Sequence, residues 1–175
     1  LVANIFILAF LIISISYSAL QKNLPRIGEI NYGDEHRKCL ALNVYFEARN
    51  QPIRGQMAVA YVTLNRVNDM RFPKTICEVV KQGKYYGNSP RRDKCQFSFW
   101  CDGRSDKPKN ITAWNNARKI ADRVLNNYGK PKKDMTRGAL YYHANYVKPD
   151  WSKFNLEHSV TIGSHIFYKV KGERN

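Results

Sequence analysis

The stretch ALNVYFEARNQPIRGQMAVA, residues 41–60, sets one carboxylate, Glu47, inside an apolar helical pattern directly after two aromatics, Tyr45 and Phe46. Cys39, Leu42 and Phe46 recur at helical spacing, which predicts a helix over 35–49 with Asp34 as its N-cap. On that helix Glu47 stacks over Val44, Asn43 and Leu40, three, four and seven residues back, so it borders the apolar stripe instead of opposing it. Asn50 is expected to end the helix in the left-handed conformation, which Asn tolerates better than most side chains. Beyond it, Met57, Ala60, Tyr61, Leu64 and Val67 keep the helical period and predict a central core helix over 55–67.

Further along, FPKTICEVVKQG (72–83) reads as a short helix started by Pro73 and stopped by Gly83. Residues 84–109 turn to Gly, Pro, Ser, Lys and aromatics, a long and therefore functional loop. NITAWNNARKIADRVLNNYGKP (110–131) is the best-marked helix: Asn110 caps it, Trp114, Ala117, Ala121, Val124, Leu125 and Tyr128 line one face, and Gly129 with Pro131 stops it. GALYYHANYV (138–147) and SVTIGSHIFYK (159–169) alternate like two strands, with Val160, Ile162 and Ile166 on one face of the second. Helices precede a small sheet, so the fold class is α+β.

Of the first 20 residues, sixteen are apolar and none is charged, the length and character of an export segment that is either a signal peptide or a membrane anchor. Residues 21–34 read as a linker and 35–175 as one domain, large enough for a core without metal support. The chain is thereby placed as exported, in periplasm, wall or medium, touching membrane only through residues 1–20. Its formal charge of +15 draws it to polyanions, and export turns that away from specific nucleic acid toward the anionic cell wall. The runs PRRDK (90–94) and KPKK (130–133) fit solvated loops equally well. Four cysteines, Cys39, Cys77, Cys95 and Cys101, predict two disulfides among three connectivities, and local proximity favours Cys95 with Cys101 and so Cys39 with Cys77. Zinc is not expected, because the spacings of 38, 18 and 6 contain no CxxC knuckle and the four His are scattered.

A carboxyl held between apolar neighbours and a cleft resists ionisation, because its charged form loses water, and near neutral pH it can serve as a general acid. That property suits protonation of a glycosidic oxygen. By pattern alone, Glu47 fits a surface or capping acid near a helix end just as well, with Arg49 close behind.

The blocks CLALNVYFEARNQPIRGQMAVAYVTLNRV, FPKTICEVV, CQFSFWCDG, ARKIADRVL, GALYYHANYVKPDW and TIGSHIFYK stand in order over residues 37–169. In them the chain resembles the SleB/CwlJ cell wall hydrolases, the spore-cortex-lytic enzyme family. The resemblance implies a lysozyme-like, lytic-transglycosylase type fold, peptidoglycan glycan strands as substrate and Glu47 of the EAR block as the catalytic acid. It implies cleavage between N-acetylmuramic acid and N-acetylglucosamine by a single acid that then acts as base, closing a 1,6-anhydro ring. No cofactor is implied, and a monomer is expected. Where the family block reads EARGEP, this chain reads EARNQP, with Asn50 in place of Gly and Gln51 in place of a second acid.

Other candidates surround that acid. Asp102, in a CDG turn, is the carboxylate that a hydrolytic muramidase or glucosaminidase would need opposite Glu47, though Asp-Gly is also an ordinary turn pair. Gln96 and Ser98, alternating in an extended segment, share a face and offer hydrogen bonds to the sugar. Tyr142 and Trp151 are the aromatic binding candidates. Tyr141 and His143 lie on the strand face opposite Tyr142, while Trp114 reads as core and His165 as structural. A free thiol nucleophile, a GxSxG elbow and a zinc ligand set are all missing from the pattern. A non-catalytic wall-binding or virion protein of the same fold is the competing class, and Glu47 argues against it. Thiol titration of the denatured, non-reduced protein from an oxidising compartment is expected to find no free thiol; four would refute both disulfides.

Overall fold

The computed structural model describes residues 33–130, 132–153 and 155–172. The expectations for the export segment, for nearly all of the linker and for Pro131 fall outside the described residues. The first helix, α1, is Asp34–Ala48, and Gly33 rather than Asp34 occupies the cap position; Asp34 and Glu35 instead place negative charge in the first turn. Its buried residues are Cys39, Leu40, Ala41, Asn43, Val44, Tyr45 and Ala48, so the apolar stripe is rotated from Leu42 and Phe46, which stay half-buried. Helix α2, Ile53–Asn68, starts two residues earlier than its periodicity suggests, behind Pro52. Asn50 is not among the residues with positive φ, and Arg49 at the end of α1 is itself right-handed (φ −57°), so the connection is a tight right-handed corner and not a left-handed cap.

Helix α2 is buried on nearly every side. Ala60, Tyr61, Leu64 and Val67 join the helical core with α1, α3 (Ile76–Val80) and α4 (Ile111–Leu125), while Ala58 and Val62 pack with Ala139, Ile162 and Phe167 under the sheet. A helix apolar all round is stable only where both faces are covered, and here two small cores share it. Helix α4 has the expected cap, with the Asn110 side chain accepting a hydrogen bond from Ala113 N at 2.9 Å. Helix α3 is shorter than expected because Thr75, two residues after Pro73, is the true cap, accepting from Glu78 N.

The strands needed correction at two places. Gly83 does not merely stop a helix; it opens a hairpin of β1 (Gly83–Tyr86) and β2 (Ser89–Cys95) through residues expected to be loop. The signal present was Gly87-Asn88 between two runs, a two-residue hairpin turn with Gly87 at φ 58°. Likewise 159–169 is no single strand: β4 (Leu156–Ile162) and β5 (His165–Val170) form a hairpin about Gly163-Ser164. The main sheet is antiparallel in the order β3-β5-β4, with β3 at Tyr141–Ala144. The disulfides join Cys39 to Cys77 and Cys95 to Cys101, as proximity suggested, so that α1 is clipped to α3 and β2 to the following 3-10 turn, Ser98–Cys101.

The Gly163 turn is fastened to the corner between α1 and α2. Ser164 N donates to Gln51 Oε1 at 2.9 Å, and a Cβ on Gly163 would fall 2.5 Å from that same oxygen and 3.1 Å from Pro52 Cδ. Because Gly163 also has φ 58°, Gly163→Ala meets both a strained backbone and a blocked site. Urea unfolding is expected to show a loss of about 2 kcal/mol; no loss would mean that the turn is free to move off the corner.

Candidate active site

Glu47 lies on the last turn of α1, one turn beyond Asn43, which is fully buried and accepts from Thr63 Oγ1 of α2 at 3.0 Å. The carboxyl thus emerges from packed helix at the seam between the helical core and the sheet. From the sheet side, Tyr142 on β3 donates its hydroxyl to Glu47 Oε2 at 3.2 Å. Burial pushes the Tyr142 phenol well above its ordinary range, followed by the charge of Glu47, so the hydroxyl keeps its proton and remains a donor. Glu47 itself is raised above the ordinary carboxylate range, chiefly by burial; the Tyr142 bond and then the charge of Arg66 act the other way. The opposing influences leave a carboxyl that favours holding its proton yet has a donor ready for the anion.

Arg66, on α2, is 5% exposed, and its sequence position gave no warning of a site role. Its Nε donates to Leu140 O at 2.8 Å, and its guanidinium lies 5.1 to 5.9 Å from the ring centres of Phe97, Phe72 and Tyr141. Among the described residues no carboxylate pairs with it within 4 Å, so it acts on Glu47 through space, favouring the ionised form. His165, at the start of β5, packs edge-on to Tyr142 (5.2 Å between rings), and burial lowers its proton affinity, followed by the influence of His143. It lines the cavity beside Glu47, and its buried Nδ1 has no hydrogen-bond partner among the described residues.

Two adjoining cavities and a separate third one flank these groups. One, of about 330 Å³, is lined by Glu47, Phe46, Arg49, Asn50, Ser164 and His165 among others. A second, about 360 Å³, shares Phe46 and Arg49 with it and holds Asp102 and Asp106. A third, about 510 Å³, is lined by Arg66, Gln96, Tyr141, Tyr142, Trp151 and Leu156. All three fall within the usual size of ligand clefts, and Tyr142 links the third to Glu47.

The expected residues therefore divide. Glu47, Tyr142, Trp151 and Gln96 converge; Trp151 is 42% exposed and stands 6.0 Å from the Tyr141 ring and 5.6 Å from that of His143, an accessible aromatic wall. Ser98 does not share the Gln96 face, because the extended segment ends at Phe97 and Ser98 begins the 3-10 turn, exposed and outside these cavities. Asp102 holds its own turn, accepting from Arg104 N at 2.8 Å, and lines the neighbouring cavity. Asp106 was missed; it lies in that same cavity with its carboxyl raised by burial, then by Asp102. Gln51, where the resemblance led one to expect an acid, uses its side-chain oxygen to hold the Ser164 turn.

The architecture is that of a known class of catalytic domain. It superposes on the catalytic domain of the germination-specific lytic transglycosylase SleB from Bacillus anthracis (TM-score 0.60, 30% identity, covering 79% of this chain and 98% of that one). The catalytic domain of the Bacillus cereus SleB protein gives a TM-score of 0.57 at 29% identity, covering 82% and 98%. Residues 50–168 match the family described as Cell Wall Hydrolase, and the chain belongs to that family. Spore cortex-lytic enzymes from Bacillus cereus (32% identity over 145 residues, 79% of this chain and 46% of the relative) and Oceanobacillus iheyensis (31% over 154 residues, 84% and 45%) are similar. The chain spans about half the length of these curated relatives.

A raised carboxyl has a stability signature with a definite sign. Between the unfolded and folded proton affinities of Glu47, the folded state binds more protons, so its contribution to stability falls as pH rises through that window. Glu47→Gln removes this dependence and is expected to stabilise the fold at pH 7 by on the order of 1 kcal/mol, with the gain shrinking toward pH 4. Urea unfolding at both pH values checks it; a loss at pH 7 that vanishes at pH 4 would reverse the sign and place the carboxylate, not the acid, in the folded state.

Proposed function

We propose that this chain cleaves peptidoglycan glycan strands between N-acetylmuramic acid and N-acetylglucosamine as a lytic transglycosylase, with Glu47 as its single acid and base. The observation that carries the reading is the half-buried Glu47, its proton affinity raised by burial, under the hydroxyl of Tyr142, which also lines a cavity walled by aromatic and amide side chains. Glu47 gives its proton to the glycosidic oxygen as the bond from muramyl C1 to that oxygen breaks, leaving positive charge on the ring. The resulting carboxylate is steadied by the Tyr142 hydroxyl and the charge of Arg66. It then removes the proton of the muramyl C6 hydroxyl, whose oxygen closes on C1. The products are a 1,6-anhydromuramyl end and a free N-acetylglucosamine 4-hydroxyl, and no water is consumed.

Gln96 and Trp151 suit the sugar on the Tyr142 side, one by hydrogen bonding and the other by presenting an open ring face. The matched family and the SleB neighbours support a wall substrate. The formal charge of +15 suits retention on an anionic wall, and hence a wall-associated location, with attraction that weakens in salt. Hydrolysis is the second reading, because Asp102 and Asp106 sit in the adjoining cavity, where either would have to activate water from the opposite ring face.

Wild-type protein is expected to clear purified peptidoglycan, and Glu47→Gln to fold but lose about 10³-fold in rate. Mass spectrometry of the released muropeptides decides the chemistry. Anhydro ends support the transglycosylase; reducing ends with activity sensitive to Asp102→Asn or Asp106→Asn would replace it by hydrolysis.

A further inference from the structure

The β1–β2 hairpin contributes no side chain to either core, yet it is firmly held. Every residue of β1 is exposed, and β2 is exposed apart from half-covered Pro90 and Cys95. A two-stranded ribbon without an apolar face is marginal in water by itself. This one is braced from its base: Cys95 is bonded to Cys101, Trp100 Nε1 donates to Tyr85 Oη at 3.0 Å, and Tyr85 Oη donates to Lys81 O at 2.7 Å. The Lys81 ammonium lies 5.0 Å from the Trp100 ring centre. What the braces present is cationic and aromatic. Residues 83–95 carry Lys84, Arg91, Arg92 and Lys94 against a single acid, Asp93, and Tyr86 is 86% exposed.

The ribbon rises from the rim of the cleft. Gln96 N donates to Gln82 O at 2.8 Å, extending the pairing one step below Gly83 and Cys95, and Gln96 is the residue that lines the cavity with Tyr142 and Trp151. A glycan seated there runs past the foot of the hairpin. Its sugar backbone is neutral, and its negative charge resides in the carboxylates of the stem peptides that branch from the lactyl groups. Resting on the function proposed above, we infer that the β1–β2 hairpin is a second substrate contact, outside the cleft, that binds the stem-peptide carboxylates of the strand being cleaved. The site thereby favours glycan that still carries peptides over stripped glycan, through exposed pairs that are individually weak and collectively salt-sensitive.

The test uses binding, so that it stands apart from catalysis. In a Glu47→Gln background, which leaves the glycan uncut, the full chain is compared with its Lys84→Gln/Arg91→Gln/Arg92→Gln/Lys94→Gln derivative, with folding checked by circular dichroism. The matrices are peptide-bearing glycan strands freed of wall phosphopolymers, and the same strands after an amidase has removed the peptides and the lactyl carboxylates thereby freed have been capped as amides, both coupled to one resin. Retention of the parent is expected to be roughly tenfold stronger on the peptide-bearing matrix at low salt, and that preference is expected to disappear in the derivative and in high salt. Arg91→Gln alone, at an exposed position, gives a smaller loss in the same direction should the fourfold change disturb folding. An undiminished preference in the derivative overturns the inference. So does retention that ignores peptide removal but rises on matrix still carrying its phosphopolymers, or on anionic lipid vesicles, since the ribbon would then serve another polyanion. Failure of the wild-type chain to cut any glycan would count against the proposed reaction and leave this comparison readable.

Discussion

The hydrogen bond from Tyr142 to Glu47 is the joint on which the site depends, because its two ends belong to different parts of the fold. Glu47 is carried by α1, whose register is set by the helical core; Tyr142 is carried by β3, whose register is set by pairing with β5. The bond has its length only if both lobes dock correctly on α2. Several contacts serve that docking. Thr63 reaches Asn43 one turn beneath Glu47, Arg66 reaches Leu140 O just ahead of β3, and Gln51 holds the turn between β4 and β5. Each is polar, and the last two join elements far apart in the chain. Apolar packing supplies the stability, and these directional contacts fix the relative position of lobes that packing alone would leave free to slide.

The electrostatics of the site follow from the same arrangement. Burial dominates for Glu47, Tyr142 and Arg66, and in each case it disfavours the charged form. Tyr142 resolves this by staying neutral. Arg66 keeps its place by cation-π contact with three rings and one carbonyl bond, with Nη1 lacking a hydrogen-bond partner among the described residues. Glu47 has its proton affinity raised by burial, while the Tyr142 bond and the charge of Arg66 act to favour its anion.

Much of this was legible in the chain. The helices over 34–48, 53–68 and 111–125 follow from periodicity and, for the last, from the Asn110 cap, because their apolar faces are long enough to average over irregularities. Glu47 stood out for the same reason, as a charge bordering such a face. The hairpins were harder. Residues 83–95 have no apolar alternation, since neither face is buried, so only the Gly-Asn turn marked them. In 159–169 the alternation continues across the turn, and a pattern of period two does not show where the chain reverses. Arg66 was invisible because its burial is completed by Phe97 and Tyr141, which are distant in sequence and meet it only in the folded chain. Gln51 shows the opposite limit: an amide in place of a carboxylate looks like lost chemistry until its oxygen is found holding the Ser164 amide.

That α2 is a wall of both cores has a mechanical consequence. Enzymes that swallow polymeric substrates often do so by rotating two lobes about a linker, which needs an interface that can part. Here the same helix belongs to both lobes, so parting them would expose Val62 and Phe167 on one side or leave Leu64 and Tyr61 without their neighbours on the other. The groove is therefore of fixed gauge. A glycan bound as proposed would have to thread in from the open flank, past rim side chains such as Trp151 and Gln96.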